Sequence, residues 1–156
     1  MSAGVNASTD PEDLHHDMNA TPEDTITVLV FSHRPEAREA IMNAVGRRPA
    51  ADLGSLRYLE AATIGEVLSA VDAGQVDLAI LDGEAQPTGG MGLSRQLKNE
   101  IAHCPPVIVT VQRKDDRWLA TWSQADAVIV HPLDPLKTAE TVAEVLRTQR
   151  PQLTGG

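Results

Sequence analysis

The sequence predicts a doubly wound α/β domain built on a parallel β-sheet. The length of 156 residues suits one domain with a sizeable core and is short for two. Beyond residue 24, short β-branched apolar runs alternate with longer segments whose apolar residues recur at helical spacing. Parallel strands need crossover connections, so five such pairs predict a five-stranded parallel sheet with helices on both faces.

The first half of the domain is marked by one apolar run and by clear helix-end signals. The opening segment TITVLVF is β-branched and almost continuously apolar, which is typical of a strand covered on both faces. The first helix has Pro35 in its first turn and Gly46 near its end. After a second strand, Thr63 and Glu66 predict a capping box, and Gly74 marks the end of the second helix.

The second half continues the alternation. VDLAILD is a buried strand that ends on Asp82, and PPVIVTV and ADAVIV are two further strands. The last helix is predicted to begin at Asp134 and Pro135 and to end near Gln149. The predicted strands are 25–31, 55–62, 76–82, 105–111 and 125–130, and the predicted helices are 34–48, 63–74, 92–102, 115–124 and 134–149.

The two ends of the chain differ from the middle in composition. Residues 1–24 hold six of the acidic residues and no Lys or Arg, so a formal charge of −9 leaves only −3 for the rest. This segment has little to bury and is predicted to be a disordered acidic tail, followed by a domain at 25–149 and a flexible tail at 150–156. A balance this acidic argues against a nucleic-acid binder, which needs basic groups that displace counterions.

Cellular location is predicted from what the sequence lacks. The single cysteine, Cys104, cannot form an internal disulfide, and the N-terminus has no basic start followed by an apolar stretch. No apolar run approaches the ~20 residues that cross a bilayer. We therefore expect a cytoplasmic protein without direct membrane insertion, which would meet a membrane only through a partner.

Four segments carry a resemblance to a known family: VLVFSHRPEAREAI, DLAILD, PPVIV and ADAVIVHPLDP. In this order they resemble the receiver domain of bacterial response regulators (CheY-like), and the resemblance covers residues 26–149. It implies a flavodoxin-like (βα)5 fold with strand order 2-1-3-4-5. Because few residues follow the last predicted helix, the chain resembles the stand-alone, receiver-only type.

The resemblance also implies which residues stand in the phosphorylation pocket. Receivers have an acidic pair after the first strand that holds Mg²⁺, an acceptor aspartate, a hydroxyl residue after the fourth strand and a lysine after the fifth. Asp82 matches the acceptor, whereas Ser32 and His33 stand at the acidic pair. Val111 stands at the hydroxyl position, and His131 stands where lysine is expected.

These departures predict a degenerate pocket without a cofactor. Mg²⁺ prefers several oxygen ligands, so its binding is expected to be weak or absent, and Glu84, two residues after the acceptor, is a poor substitute for the missing acids. Thr110 is expected to point to the opposite side of its strand and not to replace the missing hydroxyl. His131 is mostly neutral, unlike a lysine. His33 and His131 are instead expected to hydrogen-bond to Asp82 as a structural trio.

The predicted fourth helix carries both tryptophans of the chain, Trp118 and Trp122, beside Arg117. In receivers this helix belongs to the usual partner surface, and exposed indoles suit an interface anchor. The alternative is that the two rings fill gaps in the core. Val128 stands where many receivers keep an aromatic residue that moves on activation. We assign these four residues to a partner interface of fixed shape.

The predicted function is therefore a pseudo-receiver that is not an enzyme and binds another protein or a large complex without phosphorylation. The chain also looks similar to orphan receivers of high-GC Gram-positive bacteria whose genes lie near those of the respiratory NADH:quinone oxidoreductase. A membrane-associated respiratory complex is thus one candidate host. Two alternatives stay open: a phosphorylatable single-domain response regulator with Asp82 as acceptor, and a small-ligand or metal-binding enzyme that uses the pocket of Asp82, His33 and His131.

Overall fold

The structure is a computed structural model that describes residues 25–84, 89–113 and 123–154. All strands of its five-stranded sheet are parallel, in the order β2-β1-β3-β4-β5. This confirms the predicted doubly wound fold and its 2-1-3-4-5 order. The elements are β1 Ile26–Phe31, α1 Pro35–Val45, β2 Leu56–Ala61, α2 Ile64–Asp72, β3 Leu78–Asp82, α3 Gly90–Glu100, β4 Val107–Val111, β5 Ala127–Val130 and α4 Pro135–Thr154.

The helix-end signals in the first half act as the sequence predicts. Pro35 is the first residue of α1, and Gly46 ends the helix with a φ of 79°, in the left-handed region that favours glycine. The capping box of α2 is complete: the Glu66 N–H donates to Thr63 Oγ1 at 3.1 Å, and the Thr63 N–H donates to Glu66 Oε1 at 3.2 Å. These local contacts set the lengths of the first two helices.

Two helices extend beyond their predicted ranges. Helix α3 begins at Gly90, two residues earlier than expected. Helix α4 runs to Thr154, past the predicted end near Gln149 and into the segment 150–156. The helix continues through Pro151, which lacks the N–H that an interior helix position donates. The flexibility of the tail stays a prediction.

The predicted helix at 115–124 lies outside the described residues except for Ser123 and Gln124, which form a turn. The proposed contributions of Trp118, Trp122 and Arg117 to an interface therefore stay predictions from sequence.

Among the described helices, none is both long and apolar enough to span a membrane.

The core consists of two apolar clusters, one on each face of the sheet. Helices α1 and α4 cover the face that carries Ile80 and Ile108, whereas α2 and α3 cover the face that carries Leu81 and Val109. Successive side chains of a strand point to opposite faces. The face on which the last residue of a strand lies therefore depends on whether it is an even or an odd number of residues away from these core residues.

Candidate functional site

Ser32 and Asp82 meet where β1 and β3 end. The two strands pair in parallel up to Phe31 and Leu81, so the residues that follow are neighbours at the carboxyl edge of the sheet. Both side chains are buried, with 0% and 2% of their surface exposed. The Ser32 hydroxyl donates to Asp82 Oδ2 at 2.8 Å. A neutral hydroxyl thus touches the Asp82 carboxylate at a position where the resemblance to receivers implies an acid.

Arg34 brings a positive charge to the same carboxylate oxygen. Its Nη2 lies 3.5 Å from Asp82 Oδ2, and its side chain is 43% exposed. Its backbone N–H donates to the Ser32 hydroxyl at 3.1 Å. The hydroxyl therefore accepts from Arg34 and donates to Asp82, which links the three residues in one network. Sequence reasoning missed Arg34; the only signal was a basic residue two positions after Ser32, next to the start of α1.

The loop after β3 supplies a third contact to Asp82 and is tightly packed. The Glu84 N–H donates to Asp82 Oδ1 at 2.9 Å, while the Glu84 side chain is exposed. A Cβ on Gly83 would lie 2.4 Å from the Thr110 carbonyl oxygen, and one on Gly90 would lie 2.6 Å from the Asp82 carbonyl oxygen. Only glycine fits at these two positions without a shift of the backbone.

The backbone of Ser32 is held in place from α1 and β2. Arg38 Nη1 donates to the Ser32 carbonyl oxygen at 2.7 Å, and Arg38 Nε donates to Glu60 Oε1 at 2.9 Å. The Ser32 N–H donates to the Ala61 carbonyl oxygen at 3.2 Å. These contacts fix the start of the loop that presents the Ser32 hydroxyl and Arg34 to Asp82.

Thr110 lies on the opposite side of β4 from Val111, as the alternation of side chains along the strand predicts, and on the same face of the sheet as Asp82. Thr110 and Asp82 are register partners in β4 and β3, and partners in register project to the same side of a sheet. Val111, at the position expected for the hydroxyl, belongs to the cluster on the other face. Thr110 is 1% exposed, and its Oγ1 has no hydrogen-bond partner among the residues that the structure describes.

The histidines and Val128 lie around this site with different surroundings. His33 is exposed, and His131 is half-buried with its backbone N–H donating to the Val111 carbonyl oxygen at 2.8 Å. Within the described ranges, no hydrogen bond joins the His131 imidazole to Asp82, so the expected trio is not formed through that residue. Val128 is half-buried in β5 and packs against the cluster that contains Val111.

The donor set around Asp82 is a poor fit to Mg²⁺. Both carboxylate oxygens accept contacts from protein donors, and one of those donors is the guanidinium of Arg34. Hard divalent cations instead need several free oxygen ligands. Across the described segments, no group of three or more His, Cys, Asp or Glu side chains is placed to hold a metal ion.

Comparisons with known proteins agree with the fold. No family model matches the chain. Two curated relatives, both named uncharacterized response regulatory protein and both from strains of Mycobacterium tuberculosis, are 50% identical to it over 122 residues, which cover 78% of this chain and 92% of each relative.

Solved structures give the same fold at lower identity. A CheY-like receiver domain protein from Methanospirillum hungatei is 19% identical with a TM-score of 0.64, covering 82% of this chain and 98% of that one. The receiver domain of NtrX from Brucella abortus is 18% identical with a TM-score of 0.64, covering 78% and 99%. The strand order, the aspartate that ends β3 and the relatives at half identity together show that the chain belongs to the response regulator receiver domain family of two-component signalling.

Proposed function

We propose that this receiver domain is a pseudo-receiver, which binds another protein in a fixed shape and does not depend on phosphorylation. One observation carries the proposal: the acceptor carboxylate is already bound by the chain itself. Asp82 Oδ2 accepts from the Ser32 hydroxyl and lies against the Arg34 guanidinium. A phosphoryl donor would have to displace both contacts before reaching that oxygen.

Charge stabilisation argues in the same direction. Phosphoryl transfer to a carboxylate needs cations that neutralise the transferred group, usually a bound metal ion and basic side chains. Ser32 adds no charge, and the exposed Glu84 contacts the Asp82 carboxylate through its backbone N–H. Arg34 supplies one positive charge, and this charge neutralises Asp82 rather than an incoming group. We therefore propose weak or absent Mg²⁺ binding and no enzymatic activity.

The fixed shape is inferred from the residues that stand where receivers carry the side chains that respond to activation. Val128 has no aromatic ring that can move between buried and exposed positions, and Val111 is an apolar member of the core. A protein with one populated conformation binds its partner without a trigger. The partner is another protein or a large complex, and the proposed interface consists of Trp118, Trp122, Arg117 and Val128.

A respiratory NADH:quinone oxidoreductase is one candidate for the large complex. Its support is the resemblance of the chain to orphan receivers whose genes lie near those of that enzyme, which is an association and not a contact. In this proposal the domain docks on the complex from the cytoplasmic side, so any contact with the membrane is made through the partner.

One observation favours a second candidate function, a phosphorylatable single-domain response regulator. Thr110 places a buried hydroxyl without a described partner on the face of Asp82, in register with it. A hydroxyl in this position has the chemistry to bond to a phosphoryl group on the carboxylate. This candidate requires Ser32 and Arg34 to release Asp82 and a metal ion to enter.

Partner capture from the native cell tests the proposal. The tagged full chain, its Asp82→Asn variant and its Trp118→Ala/Trp122→Ala variant are compared under identical conditions. We expect Asp82→Asn to retain the partner, because the carboxylate is not the signal. The double tryptophan variant should lose it, since an indole anchor can contribute ~2 kcal/mol or more to binding.

A folding control accompanies this comparison. The melting temperature of the double tryptophan variant should fall by only a few degrees if the rings face outward, since surface substitutions usually cost within ~0.5 kcal/mol each. Loss of the partner by Asp82→Asn, with retention by the double tryptophan variant, would move the function to the acceptor pocket and reject the proposal.

A further inference from the structure

A cationic groove lies on the molecule at the edge of the sheet formed by β2, away from Asp82. The groove measures about 460 Å³ and runs between the end of α1 and the edge strand, where Arg47, Arg57 and Tyr58 contribute to its walls. Strand β2 pairs only with β1 in the described sheet, so no further strand covers its outer edge, where the Leu56 N–H donates to the Arg47 carbonyl oxygen at 2.7 Å. Neither the proposed function nor the family resemblance assigns a role to this groove.

The positive charges of this groove lack acidic partners. The exposed side chains of Arg47 and Arg57 make no hydrogen bond or ion pair within the described part of the chain. Arg48, beside them, donates to the Leu53 carbonyl oxygen and the Ser55 hydroxyl, each at 3.3 Å, and both partners are neutral. Arg47 and Arg57 therefore present guanidinium groups without an acidic partner among the described residues at this edge of the sheet.

The one acid of the adjoining loop is already engaged. Asp52 accepts from Arg147 at 2.7 and 3.0 Å in a two-point ion pair. That pair holds the pKa of the Asp52 carboxyl below its usual range. The negative charge of Asp52 is therefore paired with Arg147 of α4 and does not neutralise the arginines of the groove.

The acidic segment 1–24 joins the domain beside this groove. Ile26 pairs with Leu56, and its N–H donates to the Ser55 carbonyl oxygen at 2.9 Å, so the chain enters β1 next to Arg57. On the other side of β1 the Asp77 carboxylate accepts from the Thr27 N–H at 2.8 Å. A chain that enters β1 here has the Asp77 carboxylate on its β3 side and the guanidinium groups of Arg47 and Arg57 on its β2 side.

We infer that segment 1–24 docks on the cationic groove of its own molecule, through its carboxylates and the guanidinium groups of Arg47 and Arg57. Glu23 and Asp24 directly precede the first described residue, and four more acids lie between residues 10 and 17. A chain spans at most ~3.5 Å per residue, so these acids can reach the groove without moving the domain. Contacts between Arg and carboxylates are the strong, directional kind.

Docking at this edge has a defined consequence. The segment would cover the open side of β2, which is the kind of edge that otherwise pairs with other chains. It would leave the carboxyl edge with Asp82, and β5 on the opposite side of the sheet, uncovered. The inference is independent of whether Asp82 accepts a phosphoryl group.

Paramagnetic relaxation of the full chain tests this docking. A spin label is attached at Asn19→Cys in a chain whose own cysteine is replaced by Cys104→Ser, which keeps a donor to the Pro105 carbonyl oxygen. We expect the label to broaden the amide resonances of residues 46–48 and 56–58 more than those of β5, at the opposite edge of the sheet. At 1 M salt, where the screening length is ~3 Å, this selective broadening should disappear.

Matched charge reversals give the decisive comparison. Arg57→Glu should reduce the relaxation at these amides about threefold or more, because it removes one charge pair and adds a repulsive charge. Lys137→Glu, which reverses an exposed charge at the start of α4, should leave it unchanged. Neutralising the segment itself with Glu23→Gln and Asp24→Asn should act like Arg57→Glu without touching the domain.

Three results would overturn the inference. The first is broadening spread evenly over the domain, and the second is equal sensitivity to Arg57→Glu and Lys137→Glu. The third comes from mixing spin-labelled chain with isotope-labelled chain that carries no spin label. Broadening at the groove in that mixture would assign it to the segment of a second copy and not to the same molecule.

Discussion

The Ser32 hydroxyl donates a hydrogen bond of 2.8 Å to Asp82 Oδ2, and both side chains are buried. This contact joins the residue that ends β3 to the loop that follows β1. The carboxylate at the centre of the receiver pocket thus accepts a hydrogen bond from a side chain of its own domain. Its energetic consequence can be measured apart from any signalling assay.

Ser32→Ala should destabilise the domain by ~1–3 kcal/mol, because it leaves a buried carboxylate oxygen with one donor fewer. Arg34→Ala should cost less, within ~1 kcal/mol, because that guanidinium is 43% exposed and its ion pair is partly screened. Urea unfolding measures both changes. Ser69→Ala, on the exposed side of α2, is the matched control and should be close to neutral. Equal costs for Ser32→Ala and Ser69→Ala would show that the buried contact adds no stability.

Gly90→Ala should destabilise the domain by ~1–3 kcal/mol, because the new methyl group would lie 2.6 Å from the Asp82 carbonyl oxygen and force the start of α3 away from β3. Gly65→Ala is the control, since its nearest neighbour would be 4.0 Å away. That substitution in α2 should be neutral or stabilising by up to ~1 kcal/mol. Thermal unfolding distinguishes the two, and a stable Gly90→Ala variant would refute the close approach of α3 to Asp82.

Tyr58, the only tyrosine of the chain, should titrate abnormally late. Its hydroxyl donates to the Gly46 carbonyl oxygen, and burial raises its pKa to about 12. Because the unfolded chain ionises first, stability should fall as the pH rises from 10, the usual pKa of tyrosine, to about 12, the raised value in the folded protein. Ultraviolet absorbance of tyrosinate reports this residue alone. A midpoint near 10 would mean that Tyr58 is not buried beside α1, and Tyr58→Phe should remove the signal.

Restoring the acidic pair with Ser32→Asp and His33→Asp should make the domain respond to Mg²⁺. A second buried carboxylate beside Asp82 disfavours the ionised pair, so the metal-free variant should be less stable than the natural chain. Mg²⁺ that binds only the folded state should then raise its melting temperature, in a concentration-dependent way. Failure of millimolar Mg²⁺ to stabilise this variant would show that more than the missing acids prevents metal binding.

Much of the fold could be predicted because its signals are local. Apolar runs marked the strands, and Gly46 and the pair of Thr63 and Glu66 marked helix ends through contacts within a few residues. The site was harder, because it depends on register and on long side chains. The side of the sheet on which Thr110 lies follows from its pairing with Asp82, and the reach of Arg34 follows from its side-chain conformation. Neither the strand register nor the side-chain conformation can be read from residue type or spacing.

Titration of Mg²⁺ with beryllofluoride into the isotope-labelled full chain, followed by amide resonances, is the most direct test of the central claim that Asp82 is not a working phosphoacceptor. Beryllofluoride mimics a phosphoryl group on an aspartate and needs the metal ion to stay bound. We expect the resonances of Gly83, Glu84 and Thr110 to stay unmoved at millimolar concentrations, because Ser32 and Arg34 already bind the carboxylate. Saturable shifts at these residues would contradict the account and favour the phosphorylatable receiver.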